Sequence, residues 1–189
     1  MTDQLLFPGM AAARPLTDGL FFAIVPGALA RASIGAITQD LRDKYALTGK
    51  PLAERLHVSL HGIGEYPSFP GEIAARAIEA AASVAMAPFE VTFDRAMSFS
   101  GKAGQLPLVL VGEATEGVAA LQQALGGALA KAGLAARRST PHLTLLYDVR
   151  RVDEQPVAPI GWTVRQFVLV HSLLGRGVYK SLARWPLRG

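Results

Sequence analysis

Leu56-His57-Val58-Ser59-Leu60 and Pro141-His142-Leu143-Thr144-Leu145 each set a histidine two residues ahead of a hydroxyl side chain, inside an alternating apolar and polar run. Such alternation marks a strand with one buried face. Side chains at i and i+2 of a strand point to the same side, about 7 Å apart. His57 and Ser59 therefore share one face, with Leu56, Val58 and Leu60 on the other. His142 and Thr144 share a face in the same way, over Leu143 and Leu145. Two imidazoles, each beside a hydroxyl, are what acid/base attack on a phosphodiester requires.

Working outward, each motif closes a repeated unit. The first runs from an apolar strand, Leu20 to Val25, through a helix over 28–45 and a turn at Gly49-Lys50-Pro51 to the His57 strand. The second runs from a strand over 106–111, through a helix over 113–131 stopped by Gly133, to the His142 strand. Leu20 to His57 is a step of 37 residues and Leu106 to His142 one of 36, so the histidines fall at the same step of the repeat. A helix over 71–85, a strand over 89–97, one alternating segment over 162–171 and a closing strand over 178–185 complete the reading. The expected fold is α+β: two pseudo-symmetric lobes, each a small, mostly antiparallel sheet with helices outside, and an active-site cleft between them.

At 189 residues, half of them hydrophobic, the chain can bury a substantial core. An N-terminal arm, 1–18, is expected to lead into a single bilobal domain, 19–189. With no cysteine, disulfides, thiolate nucleophiles and cysteine zinc sites are excluded, which agrees with a cytoplasmic location. No apolar run approaches the roughly 18 residues of a membrane span, and the first residues do not read as a signal peptide. A formal charge of +4 favours an anionic partner without naming it.

Histidine changes charge near neutral pH, so one imidazole of a pair can take a proton from water while the other protonates a departing oxygen. Ser59 and Thr144 are suited to donate hydrogen bonds to non-bridging phosphate oxygens. The scheme requires neither metal nor cofactor, and no acidic or histidine cluster has metal-ligand spacing. By parity, His61 shares the face of His57 and Ser59 and is a candidate substrate contact. Arg137 and Arg138, just upstream of His142, would meet a phosphate if their loop turns inward. His171 reads as structural. Phe21 and Phe22 straddle their strand, one in the core and the other a candidate to stack on a base.

With both motifs in place, the chain resembles the two-histidine phosphoesterase superfamily, and within it the RNA 2',3'-cyclic phosphodiesterases, historically called 2'-5' RNA ligases. Leu20-Phe21-Phe22-Ala23, Arg55 to Leu60, Pro141 to Leu145, the tail Phe167 to Ser172, Tyr179 and Trp185-Pro186-Leu187 carry the resemblance. It implies opening of a 2',3'-cyclic phosphate at an RNA end to a 2'-phosphate, with weak 2'-5' ligation as the reverse. It also implies His57 as acid, His142 as base, and Ser59 and Thr144 holding the phosphate. The near-symmetry leaves the acid and base roles open to exchange. Relatives often carry an aromatic residue shortly after the first motif, where this chain reads His61-Gly62-Ile63-Gly64, and many an arginine after the second, where it reads Leu146-Tyr147-Asp148. Substrate recognition is then expected to pass to Tyr147, His61 or Arg138. Two other readings stand beside this one: a phosphodiesterase for small cyclic phosphates (a nucleotide or an ADP-ribose derivative), and a non-catalytic RNA-binding module; the protein is expected to be a monomer that needs no membrane.

Overall fold

Val118, Leu121, Leu125 and Leu129 recur every three or four residues along a helix and are fully buried, which gives it one apolar stripe. Ala30, Ile34, Ile37 and Leu41 do the same on an earlier helix. Both stripes pack with sheet residues such as Phe22, Leu60, Phe93 and Leu145 in one continuous core. Burying each large side chain contributes about 1.5–3 kcal/mol. The helices therefore cover one face of the sheet, and the other face is left for chemistry.

The structure is a computed structural model describing residues 14–102, 104–112 and 116–188. In chain order it comprises β1 (Asp18–Ile24), α1 (Ala28–Tyr45), β2 (Val58–Tyr66), α2 (Gly71–Ala82), β3 (Phe89–Ser98) and β4 (Leu106–Val111). There follow α3 (Glu116–Lys131), the short β5 (Arg137–Arg138), β6 (Leu143–Asp148), β7 (Gln155–Val164), β8 (Gln166–Leu173) and β9 (Val178–Pro186). Most of the N-terminal arm, and the start expected for the third helix, lie outside the described residues.

The sheet order is β7-β3-β4-β6-β2-β1-β8-β9, with β5 added beside β2 and every pairing antiparallel. Outward from the centre it reads β2-β1-β8-β9 on one side and β6-β4-β3-β7 on the other. This is the two-lobed α+β fold expected from the repeat, with one qualification: the halves fuse into a single sheet where Val58 pairs with Leu143. The C-terminal strands β8 and β9 complete the first lobe, and β3, from the middle of the chain, belongs to the second.

The segment over 162–171, which alternates as one strand, is two. It breaks at Arg165, leaving Val164 at the end of β7 and Phe167 near the start of β8, in opposite halves of the sheet. The helix expected over 71–85 ends at Ala82, where Ser83 turns its hydroxyl onto the Ala80 carbonyl.

The approach to the first motif is fixed by close packing against β6. The backbone N–H groups of Thr48 and Gly49 both donate to Asp148 Oδ2 at 2.7 Å, and Arg150 N–H donates to Oδ1 at 2.9 Å. Burial pushes the Asp148 carboxyl up, but these backbone donors outweigh it and hold the group below the usual carboxylate value. At Gly49 a Cβ would lie 2.1 Å from the Tyr147 carbonyl oxygen, so only glycine fits.

Gly49→Ala is therefore expected to lower stability by about 1–3 kcal/mol. On the exposed side of α1, Gly35 has open space around its Cβ position, and Gly35→Ala should raise stability by about 0.5–1 kcal/mol. Thermal melts of the two variants check both signs; a stable Gly49→Ala protein would refute the close approach.

Candidate active site

Val58 and Leu143 pair with both side chains fully buried, so their neighbours point to the opposite, open face of the sheet. Carried one residue either way, that antiparallel register sets His57 toward Thr144 and Ser59 toward His142. The two motifs thus meet around one ladder pair, each histidine diagonal to its twin.

Both imidazoles are locked in the same way. His57 Nδ1 lies 2.6 Å from the Arg55 carbonyl oxygen, and His142 Nδ1 lies 2.7 Å from that of Thr140. A carbonyl only accepts, so each Nδ1 carries the hydrogen, which leaves Nε2 to exchange protons. Each ring is also steadied by an aromatic neighbour. His57 packs on Phe21 with ring centres 5.0 Å apart and on Tyr179 at 5.5 Å; His142 packs on Phe99 at 5.1 Å. Burial holds the His57 pKa below its ordinary value; the Arg55 carbonyl partly offsets this, while His142 and Arg55 push the same way as burial. Burial likewise pushes the Tyr179 phenol up, keeping it a protonated donor.

Immediately after each motif the strand bulges. In β2, Ala23 faces Ser59 but Phe22 faces His61, so Leu60 is the extra residue. In β6, Val109 faces Thr144 but Leu108 faces Leu146, so Leu145 is extra. The bulges occupy equivalent places in the repeat, and each exposed carbonyl is captured by the approach to the other motif. Ser139 N–H donates to Leu60 O at 3.1 Å, and Leu52 N–H donates to Leu145 O at 2.8 Å.

The bulge corrects the expectation for His61. One extra residue reverses the parity of the residues that follow it, up to the next register shift at Ile63. His61 accordingly turns into the core, where it is 4 % exposed and donates from Nε2 to the Gln122 carbonyl at 2.7 Å. The ring packs so closely on α3 that a Cβ at Gly126 would lie 3.2 Å from it. It neither faces the cleft nor shares the side of His57.

Arg138 is also redirected. It lies opposite His61 in the β5–β2 pairing, and its Nε donates to Gln122 Oε1 at 2.8 Å. The Gln122 amide in turn donates to the carbonyls of Leu60 at 3.1 Å and Ser139 at 2.7 Å. Gln122 thereby ties the bulge after Ser59 to the chain entering His142. It is Arg137, opposite Gly62, that lines the open groove.

That groove, about 460 Å³, is lined by His57, Ser59, Phe21, Tyr179, Arg137 and Glu65 among others. A second shares His57 and Tyr179 and adds Arg31, Arg55 and Arg184. A third shares Arg55 with it and adds Lys50, Arg176 and the half-exposed Tyr147. The Arg55 guanidinium lies 5.5 Å from the centre of the Tyr179 ring. Tyr147 is thus set near cations beside the site. Of the Phe21-Phe22 pair, Phe22 is in the core and Phe21 lines the groove; Tyr179 and Arg55 are site neighbours to which sequence reasoning gave no role. Tyr179 reaches the cleft only because β9 pairs it with Ser172, although the alternation of that strand offered a signal.

His171 sits away from these groups, with Nε2 2.5 Å from Asp18 Oδ1 and its ring against Phe69. Among the described residues no group of three or more His, Asp or Glu side chains is gathered to hold a metal, and no helix is long and apolar enough to cross a membrane.

A family model described as the 2'-5' RNA ligase superfamily matches residues 25–176. The chain belongs to that superfamily. Crystal structures of E. coli LigT share the fold: the apo form is 26% identical, covers 93% of this chain and 100% of its own, and superposes with a TM-score of 0.72. LigT complexed with 3'-AMP is 26% identical over 93% of this chain and 100% of its own, with a TM-score of 0.69. TT0787 of Thermus thermophilus, at 24% identity, covers 90% of this chain and 98% of its own with a TM-score of 0.70 and supports the fold. Among curated proteins no sequence matches this chain. The two-histidine phosphoesterase resemblance and the α+β fold are therefore established, and with them a phosphodiesterase class of enzyme.

In the free protein His57 is expected to titrate below 6.5, because burial disfavours its charged form. In His142→Ala a like charge is lost, so the His57 pKa should rise. Histidine ring NMR titrations check this. A His57 that does not respond would place the rings too far apart to share one phosphate.

Proposed function

We propose that this protein opens 2',3'-cyclic phosphates at RNA ends to 2'-phosphates without a metal. One observation carries the reading: two histidines with the same Nδ1–H lock flank the single pair that joins the half-sheets.

The cyclic phosphate lies over Val58 and Leu143, its non-bridging oxygens accepting hydrogen bonds from Ser59 and Thr144. His142, neutral, takes a proton from water through Nε2 as the water oxygen bonds to phosphorus. The P–O3' bond breaks, and protonated His57 gives its Nε2 proton to the 3' oxygen. The products are a 3'-hydroxyl and a 2'-phosphate; with a 5'-hydroxyl in place of water as the attacking group, the same proton transfers open the cyclic phosphate to a 2'-5' phosphodiester and a 3'-hydroxyl. Burial disfavours the charged form of His57, and a bound phosphate anion favours it. Structures of E. coli LigT complexed with 3'-AMP, ATP and phosphate support a nucleotide or phosphate ligand in this cleft. The adjoining basic grooves also suit a small cyclic nucleotide, which remains the second reading.

Hydrolysis of a short RNA ending in a 2',3'-cyclic phosphate, run in EDTA with the product identified, is the direct test. Turnover to a 2'-phosphate is expected; a 3'-phosphate would overturn the assignment of the leaving oxygen. His57→Ala and His142→Ala should each cost at least about 10²-fold in kcat with unchanged melting. Ser59→Ala and Thr144→Ala should cost about ten- to hundredfold, each removing one phosphate hydrogen bond. Wild-type turnover in His142→Ala would end the two-histidine mechanism.

A further inference from the structure

The neighbouring arginines of β5 have different fates. Arg138 is committed to Gln122. The side chain of Arg137 makes no hydrogen bond or ion pair among the described residues, and it lines the groove that holds His57 and Ser59. Its cross-strand partner is Gly62, whose Cβ position has no atom within 4 Å. Among the described residues, then, a guanidinium without a partner borders an opening that no side chain fills.

Position decides what it would hold. The reacting phosphate belongs at the Val58–Leu143 pair, whereas Gly62 lies four residues further along β2. At about 3.3 Å per residue, less the bulge, this is about 10 Å away. That distance suits another phosphate of the same ligand. The floor is open at Gly62, with Phe21 and Tyr179 also lining the groove. Glu65 lines it further along, and a second anion-binding step there would meet a carboxylate. The groove is built for one further phosphate and not for a polyanion track.

Resting on the function proposed above, we infer that Arg137 binds the 5'-phosphate of the nucleotide whose 2',3'-cyclic phosphate is opened, with the nucleoside spanning the groove over Gly62. The chemistry recognised is a nucleotide phosphorylated on both sides of its ribose. Its 5'-phosphate comes either from an RNA diester or from the diphosphate of a small nucleotide. The guanidinium suits this role because it is always charged and can offer two parallel donors to a phosphate.

The test needs no turnover. Calorimetric titrations would compare adenosine 2'-phosphate with adenosine 2',5'-bisphosphate, both analogues of the expected product. In the wild-type protein the added phosphate should tighten binding about tenfold or more. In Arg137→Gln that gain should vanish while adenosine 2'-phosphate binds as before. Gly62→Leu, whose Cβ would meet no described atom within 4 Å and whose side chain would occupy the opening, should abolish the same gain. A gain that survives Arg137→Gln, or no gain in the wild-type protein, would overturn the inference. Failure of the wild-type protein to open any cyclic phosphate would instead overturn the function proposed above, leaving the binding comparison to judge Arg137. A dinucleotide ending in a 2'-phosphate, set against an ADP-ribose 2'-phosphate, names the source: the ligand that keeps the Arg137-dependent gain carries the natural linkage.

Discussion

The two halves of this molecule are held in register by one ladder pair, Val58 opposite Leu143. Everything the site can do depends on that joint. A single antiparallel pair would by itself be a weak hinge, since neighbouring strands could splay around it. It is stiffened by crossed braces, because the bulge carbonyl of each motif accepts a backbone hydrogen bond from the segment that leads into the other. Gln122 adds a third link by donating to both the Leu60 and Ser139 carbonyls from within the core. These links hold the two half-sites at a fixed separation within one continuous sheet.

The bulges are functional geometry as well as bracing. A regular strand would carry the cleft face onward to His61 and crowd the site with a third imidazole. One extra residue sends that ring inward against α3 and brings Gly62 to the open face in its place. The equivalent shift in β6 brings Tyr147 to the open face. The same local device therefore leaves an opening at Gly62 in one half and sets an aromatic ring among the cations of an adjoining groove in the other. A pseudo-symmetric scaffold becomes an asymmetric site through two side chains.

Electrostatics follow the same division. Burial makes charge costly on His57, and the second imidazole raises that cost, so the empty site resists carrying two protons at once. Arginines and a lysine line the adjoining grooves and make them attractive to an anion. On the proposed function, a bound phosphate would supply negative charge and favour the protonated form of His57.

The sequence alone determined the motifs, the repeat and the main elements, because these are written in local periodicity. The helix over 28–45 was legible to the residue from its apolar spacing, and the facing of His57 with Ser59 and of His142 with Thr144 from strand alternation. Tertiary structure decided what local pattern cannot carry. His61 was misplaced because parity assumes an unbroken pleat, and the bulge that breaks it is set by what β1 offers across the ladder. The doublet Leu145-Leu146 was the one local sign of such a break in β6. Arg137 and Arg138 are indistinguishable as neighbours in a chain; pairing with β2 and the reach of Gln122 separate them. The split at Arg165, which sends β7 and β8 to opposite lobes, likewise depends on partners far away in sequence, where backbone hydrogen bonds are satisfied across the sheet.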